Sequence, residues 1–377
     1  MPDYLISGAG IAGLTTAIAL QQHSAVRIVE QATGLSAAGA GIQLSPNATQ
    51  CLDQLGLLQA LEPYTFAPEA AVTYDGLNGQ TLFTVPLQTW STPYWHIHRA
   101  DLQQVLLQQL ETDKVTLVMG QTLPEASISA ESSQPVIIAE GIRSDTRRQL
   151  LGSHAISVGH VAWRSLIPVT PALRKHIPPV ASLWLGPKAH VVHYYVAGGQ
   201  YLNVIIVLHA TSLDSSWDQA VDVDHVRQQF ADWHHKVRDL IAQASAFSQW
   251  SLAYVPVLSQ WYQHNAVFIG DAAHAIVPYL AQGGALAIED AVILGQCLAK
   301  NSHYTSAYQQ FQQQRFQRVR YVQQRSLQQG KLYHLRNRIA RSIRNHSMQA
   351  IHQMKPDYWR QSLNAVYESS VDVEPHC

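Results

Sequence analysis

Gly8, Gly10 and Gly13 follow a short apolar run, Tyr4–Ser7, and open a stretch with helical periodicity at residues 14–20. A second apolar run, residues 26–29, closes on Glu30. Strand, glycine turn, helix, strand and acid is the order that binds a dinucleotide. Gly8 permits the tight turn, Gly10 lets a pyrophosphate approach the main chain, and Gly13 lets the helix pack on the strand. The helix start at Ile11 and Ala12 offers free N–H groups and a partial positive charge to phosphate. Glu30 stands where an acid takes a ribose hydroxyl. A glutamate suits a free 2′-hydroxyl and not a 2′-phosphate, which points to FAD or NAD over NADP.

A second constellation lies far downstream in "AVFIGDAAHAIVPYLAQGGALAIEDA". An apolar run at residues 266–269 ends in Gly270-Asp271, and a carboxylate at a strand end can accept from sugar hydroxyls. Gly283 and Gly284 then precede a helical segment, "ALAIEDAVILGQCLA", whose N-terminus favours negative charge. FAD has both matching parts, a ribityl chain and a flavin ring that carries negative charge when reduced. A plain NAD dehydrogenase would not need this second segment.

Three segments in order, "GAGIAGL" with Glu30, "HRADL" and "GDAAHAIVPYLAQGGALAIEDA", resemble those of the group A FAD-dependent aromatic monooxygenases of the p-hydroxybenzoate hydroxylase fold. "GHVAWRSLIP" and "WLGPKAHVVHYYVAGGQYLNVIIV" are similar to the salicylate, hydroxynicotinate and 3-hydroxybenzoate hydroxylase branch. The resemblance implies bound FAD, reduction by NADH or NADPH, and oxygen transfer through a flavin C4a-hydroperoxide to a small phenolic or hydroxypyridine carboxylate. It implies that Arg99 reaches the flavin side of the cofactor and that Asp271 binds the ribityl or pyrophosphate region. Gln282, Gly283 and Gly284 would offer main chain to the flavin's pyrimidine edge, and Pro278 would pack near its reacting face. His190 and Tyr194 would line the substrate pocket, the first as a base and the second positioning a carboxylate or ring oxygen. His274 is read as structural. Two positions depart from the family pattern: Glu140 replaces an aspartate before Gly141, and Ala285 stands where asparagine is common. The alternatives are an FAD oxidoreductase of the same fold acting on a non-aromatic compound, and a flavin-binding protein without turnover.

These residues need an α/β frame: a Rossmann-like FAD-binding domain, an inserted β-sheet substrate domain, and C-terminal helices. The texture of the chain divides it into a discontinuous cofactor domain (1–69, 95–155 and 260–345), a substrate domain (70–94 and 156–259) and a tail (346–377). On an extended strand His190, Val192 and Tyr194 point to one face, and His193 and Tyr195 to the other. Residues 305–354 hold no acid and many arginines, which reads as a solvated helix face with some pairing inside the molecule.

Bulk properties agree with such a frame. The 377 residues are 47% hydrophobic and 14% charged, with a net charge of -1; this describes a globular chain and argues against a nucleic-acid binder. Cys51, Cys297 and Cys377 stand alone, which suits a reducing cytoplasm and supplies no metal site. No apolar run approaches a membrane span. A monomer or homodimer is expected.

Overall fold

The computed structural model describes residues 3–35, 41–210 and 219–367. Cys377 and the end of the expected tail lie outside them. Among the described residues, no helix is long and apolar enough to cross a membrane, and no group of three His, Cys, Asp or Glu side chains could hold a metal.

The first layer is a six-stranded sheet in the order Tyr262–Gln263, Ala266–Phe268, Val136–Ile138, Tyr4–Ser7, Val26–Glu30, Val115–Met119. Its pairings are parallel except at the Tyr262–Gln263 edge. The strands Val136–Ile138 and Ala266–Phe268 are wholly buried, as short continuous apolar runs in a parallel sheet require. Helices Ile11–Gln21 and Gly283–Lys300 pack together beside this sheet. A Cβ on Gly295 would stand 2.9 Å from the Ala19 Cβ, so a missing side chain sets their close approach.

The second layer is an eight-stranded sheet in the order Gln219–Val221, Phe247–Tyr254, Ile156–Pro168, Tyr201–His209, Ala189–Val196, Ala181–Leu185, Ala70–Asp75, Thr81–Pro86. Residues from both 70–94 and 156–259 contribute strands to it. Its outer face carries Trp163, Val191, Tyr195 and Val204 beneath helices Val223–Gln229 and His235–Ala242. Its inner face carries His190, Tyr194, Asn203 and Val207, toward Tyr279, Tyr333 and Tyr367. A small antiparallel sheet of Gly41–Leu44, Trp95–His98 and Thr65–Phe66 lies between the two layers.

The expected tail is corrected. Residues 346–354 and 358–367 fall in two helices, Arg338–Met354 and Tyr358–Tyr367, docked on the Thr81–Pro86 edge of the large sheet. Trp359, Leu363, Val366 and Tyr367 recur at helical spacing and form the buried stripe. Trp359 stacks on Phe83 with ring centroids 4.2 Å apart, and Asn345 donates to Asp75 at 2.6 Å. The basic stretch has an exposed face, with Arg320, Arg325, Arg336 and Arg338 on the surface, while Arg315 and Arg344, 2% and 5% exposed, turn into the molecule.

Candidate active site

The glycine loop has the geometry its spacing demands. Gly8 adopts φ +104°, and a Cβ there would stand 2.5 Å from the Ala139 carbonyl oxygen. A Cβ on Gly13 would stand 1.9 Å from the Gly8 oxygen, so only glycine lets the helix cross the strand here. Nothing lies within 4 Å of a Cβ on Gly10. Gly10 caps helix Ile11–Gln21 with no side-chain partner, leaving the N–H groups of Ile11, Ala12 and Gly13 without helical acceptors. The Glu30 carboxylate accepts from Ala9 N at 2.8 Å and Ala32 N at 2.9 Å. The Gln103 amide donates to the Ala9 carbonyl at 2.7 Å. The Ala9 peptide is thus held from both sides.

Gly270 brings the distant segment to this loop. At φ +55° a Cβ on it would stand 3.2 Å from the Ala12 Cβ and 3.3 Å from the Ala287 Cβ, so the Gly-Asp turn sits between the starts of both long helices. Asp271 follows with an exposed side chain. Surrounding protein raises its pKa by desolvation, and His274, Arg99 and Arg147 partly offset the rise. A carboxylate crowded on one side and open on the other is the wall of a groove. Arg99, exposed at the start of helix Arg99–Gln108, is close enough for its charge to act on the Asp271 carboxyl.

Gln282 precedes the Gly283–Lys300 helix and is 1% exposed. Its side chain is occupied: Nε2 donates to Ser45 Oγ at 2.8 Å and Oε1 accepts from Asn47 at 3.0 Å. Its main chain, with Gly283 and Gly284, leads into a helix start that has no side-chain cap. A Cβ on Gly283 would meet nothing within 4 Å. Ala285 is fully buried, so that position turns into the core.

Glu140 is built in as a cap. Its carboxylate accepts from the hydroxyls of Ser7, Ser144 and Thr146 at 2.7, 2.7 and 2.8 Å, which ties the first strand to helix Asp145–Leu151. The extra methylene relative to aspartate gives it that reach.

His190 and Tyr194 share the inner face and occupy separate surroundings. His190 is 3% exposed, and its Nδ1 lies 3.0 Å from His334 Nε2. His334 Nδ1 lies 2.9 Å from the Gly330 carbonyl. A carbonyl oxygen can only accept, so we assign the proton to His334 Nδ1; His190 Nδ1–H then donates to His334 Nε2, and His190 Nε2 keeps its lone pair. Burial, then His334 and His160, hold the His190 pKa well below its usual value. Tyr194 donates to the Gly41 carbonyl at 2.8 Å, and burial raises its pKa. Pro278 opens the turn Pro278–Leu280. The next residue, Tyr279, faces His190 edge-on at 5.8 Å and lies 3.0 Å from His160 Nδ1 through its hydroxyl. The Pro278 turn thus abuts the His190 end of the strand, and Gly41 abuts the Tyr194 end, its neighbour Ile42 lying 3.3 Å from where a Cβ on Gly284 would stand.

A family profile described as "FAD binding domain" matches residues 2–326. The chain belongs to this FAD-binding family. The 3-hydroxybenzoate 6-hydroxylase of Polaromonas naphthalenivorans (strain CJ2) is 30% identical over 366 residues, 90% of each chain. The 3-amino-4-hydroxybenzoate 2-monooxygenase of Streptomyces cremeus is 32% identical over 311 residues, 78% of this chain and 77% of that one. The crystal structure of Klebsiella pneumoniae HpxO with FAD and uric acid superposes with a TM-score of 0.81 at 22% identity, covering 97% of this chain and 96% of that chain.

The residues present fit FAD: an open main-chain cradle at Gly10, an acid at the loop, a groove carboxylate, and a second uncapped helix start. Asp271→Ala is expected to lower FAD affinity about 10–100-fold, the range for losing a hydrogen bond to a charged group. The flavin-to-protein absorbance ratio after dialysis measures it, and full occupancy would remove Asp271 from the binding set.

Several residues of this flavoprotein have no local signature. Arg147, 1% exposed, binds the carbonyls of Ile142, Ser153, Asp271 and Ala272 and so holds the Gly-Asp turn to the Glu140 loop. Asp290 accepts from Gly270 N at 2.8 Å and Arg315 Nε at 2.7 Å, and lies 2.7 Å from His274 Nε2. Glu289 pairs with Arg315 at 2.6 Å and Arg318 at 3.1 Å, and accepts from Asn47. The one available signal was the pair of acids inside the apolar helix sequence "ALAIEDAVIL".

Proposed function

We propose that the protein is an FAD-dependent monooxygenase that uses NAD(P)H and O2 to hydroxylate a small aromatic carboxylate, a phenol or hydroxypyridine acid. The carrying observation is the near full-length similarity to a hydroxybenzoate hydroxylase. The inner sheet face, polar at His190 and Tyr194 and set against the cofactor segments, supports it. The two layers act as cofactor and substrate domains. Cys51 and Cys297, both buried free thiols, suit the cytoplasm.

FAD supplies the redox chemistry when bound, taking hydride from NAD(P)H and activating dioxygen. The protein's part is to orient the ring, exclude water and move one proton. A phenolate is attacked by electrophilic oxygen faster than a phenol, so removing that proton raises the rate. His190 is neutral, its tautomer is fixed by His334, and Nε2 is the acceptor. Its pKa is depressed, so the free base form persists as pH falls below the usual histidine range and is lost only below that depressed value.

Aromatic acids should stimulate NADH or NADPH oxidation and yield a hydroxylated product. Peroxide alone would mean uncoupled oxidation, and no oxidation with any donor would favour a flavin binder without turnover. His190→Ala should retain FAD and lower hydroxylation by about 10²–10⁴-fold. An unchanged kcat would end the assignment of His190 as base.

A further inference from the structure

Helix Arg338–Met354 holds one apolar line outside the core. Its inner side is fixed by the buried Arg344, Asn345 and Met348, the last of them packed in the cluster of Tyr279 and Tyr333. Its outer side carries Ile339, Ile343, Ala350 and Met354. Steps of four, seven and four residues set these on one face of a helix. All four are exposed, Ile339 and Met354 to 70% and 74%. Leu332 and Tyr358, on either side of this helix in the chain, are exposed as well, and so is Tyr321. Of the ten large apolar side chains exposed among the described residues, six thus fall between positions 321 and 358. A scattered exposed leucine needs no explanation, but a row of them marks a contact surface.

The same stretch is basic. Residues 305–354 hold nine Lys or Arg and no acid, in a chain whose net charge is -1, so the negative charge is gathered elsewhere. Arg315 and Arg318 pair with Glu289. Arg320, Arg325, Lys331, Arg336 and Arg338 are exposed, and no ion pair among the described residues includes them. Lys331, Arg336 and Arg338 stand before the apolar line, and the exposed Lys355 follows Met354. Cations at a helix N-terminus oppose its dipole, so Arg336 and Arg338 do not serve the stability of the helix they open.

Two-fold packing of this face on a second copy would set these cations against their own equivalents. A convex row of single side chains offers no groove to a peptide. An anionic lipid surface matches both features: the apolar side chains enter the boundary between headgroups and acyl chains, the cations lie among phosphates, and tyrosine rings suit the level between. We propose that this face docks the protein on anionic phospholipid bilayers, reversibly and without spanning them.

The test is co-sedimentation of the full-length, FAD-loaded protein with vesicles of phosphatidylcholine alone and of equal parts phosphatidylcholine and phosphatidylglycerol. The mixed vesicles should bind it at least about 30-fold more strongly, and added salt should weaken that binding by screening. Arg336→Gln with Arg338→Gln should lower binding about 20-fold, since each cation near such a surface contributes about a factor of five. Ile339→Ser with Ile343→Ser should lower it about 10–100-fold. Both variants should keep the FAD content and Tm of the wild type, and Met354→Ser replaces the second if it does not fold. Equal binding to the two kinds of vesicle, or binding untouched by the folded variants, overturns the inference. A dimer that Ile339→Ser with Ile343→Ser turns into a monomer, without vesicle binding by either, assigns the face to a second copy and also overturns it. Binding confined to a chain ending at Tyr367 overturns it too, because the face would then belong to the acidic segment 368–377, with Glu368, Asp372 and Glu374.

Discussion

Gly13→Ala is expected to give a chain that carries no FAD and melts well below the wild type. The added methyl would stand 1.9 Å from the Gly8 carbonyl oxygen and 3.1 Å from its carbon. Both are main-chain atoms of the very turn that shapes the phosphate site, so no side-chain rearrangement can relieve the contact. Ordinary overpacking costs about 1–3 kcal/mol, and an obstruction made of backbone belongs at or above the top of that range. Gly10→Ala is the matched control. Gly10 has an ordinary extended backbone, φ −76° and ψ −175°, and open space around the Cβ position. That variant should fold with a near wild-type Tm and still bind FAD poorly, because its methyl occupies the side from which the pyrophosphate comes. Calorimetry and flavin content separate the two. A yellow Gly13→Ala protein with an unchanged Tm would refute the packing role of this glycine.

Arg315→Ala should destabilise the fold by about 3–5 kcal/mol, the range for stripping one partner from a buried ion pair. Arg315 is 2% exposed and bridges Glu289 and Asp290, both fully buried. Burial alone would raise the pKa of each acid. For Glu289 the opposing charges of Arg315 and Arg318 prevail, and for Asp290 those of His274 and Arg315, so both are held at about 2. A depressed carboxylate contributes stability that is present above its unfolded pKa, near 4, and lost as pH falls toward the folded value. Wild-type stability should therefore decline between about pH 5 and pH 2. In Arg315→Ala the acids lose the cation they share, protonate more readily and are relieved by acid, so the Tm gap should narrow from pH 7 to pH 3. A gap independent of pH would show that Arg315 contributes packing alone. Because Asp290 holds Gly270 N and Glu289 holds Asn47, which holds Gln282, the variant should also bind FAD less tightly.

What the sequence reading could see was local. Gly8, Gly10 and Gly13 announce themselves because each role is set by a neighbour a few residues away, and period-two alternation sorted His190 and Tyr194 from His193 and Tyr195. The contacts of Glu140 escaped it because one of the three hydroxyls, on Ser7, arrives from a strand at the far end of the cofactor segment. Arg315 was one basic residue among many until its two acids came from another helix, and no spacing rule links His334 to His190. The helix ending at Tyr367 was missed for a different reason: its apolar stripe is short and interrupted by polar residues. Its pairing with Phe83, Trp90 and Tyr94 is a tertiary choice that overrides a weak local pattern.

The strand Ala189–Val196 keeps its duties on opposite sides. Val191, His193 and Tyr195 anchor it to the outer helices and neighbouring strands, while His190, Val192 and Tyr194 look inward. Combinatorial variation confined to the even-numbered positions should therefore retarget which molecules the protein accepts with little loss of yield. The same diversity placed at the odd-numbered positions should produce mostly insoluble clones.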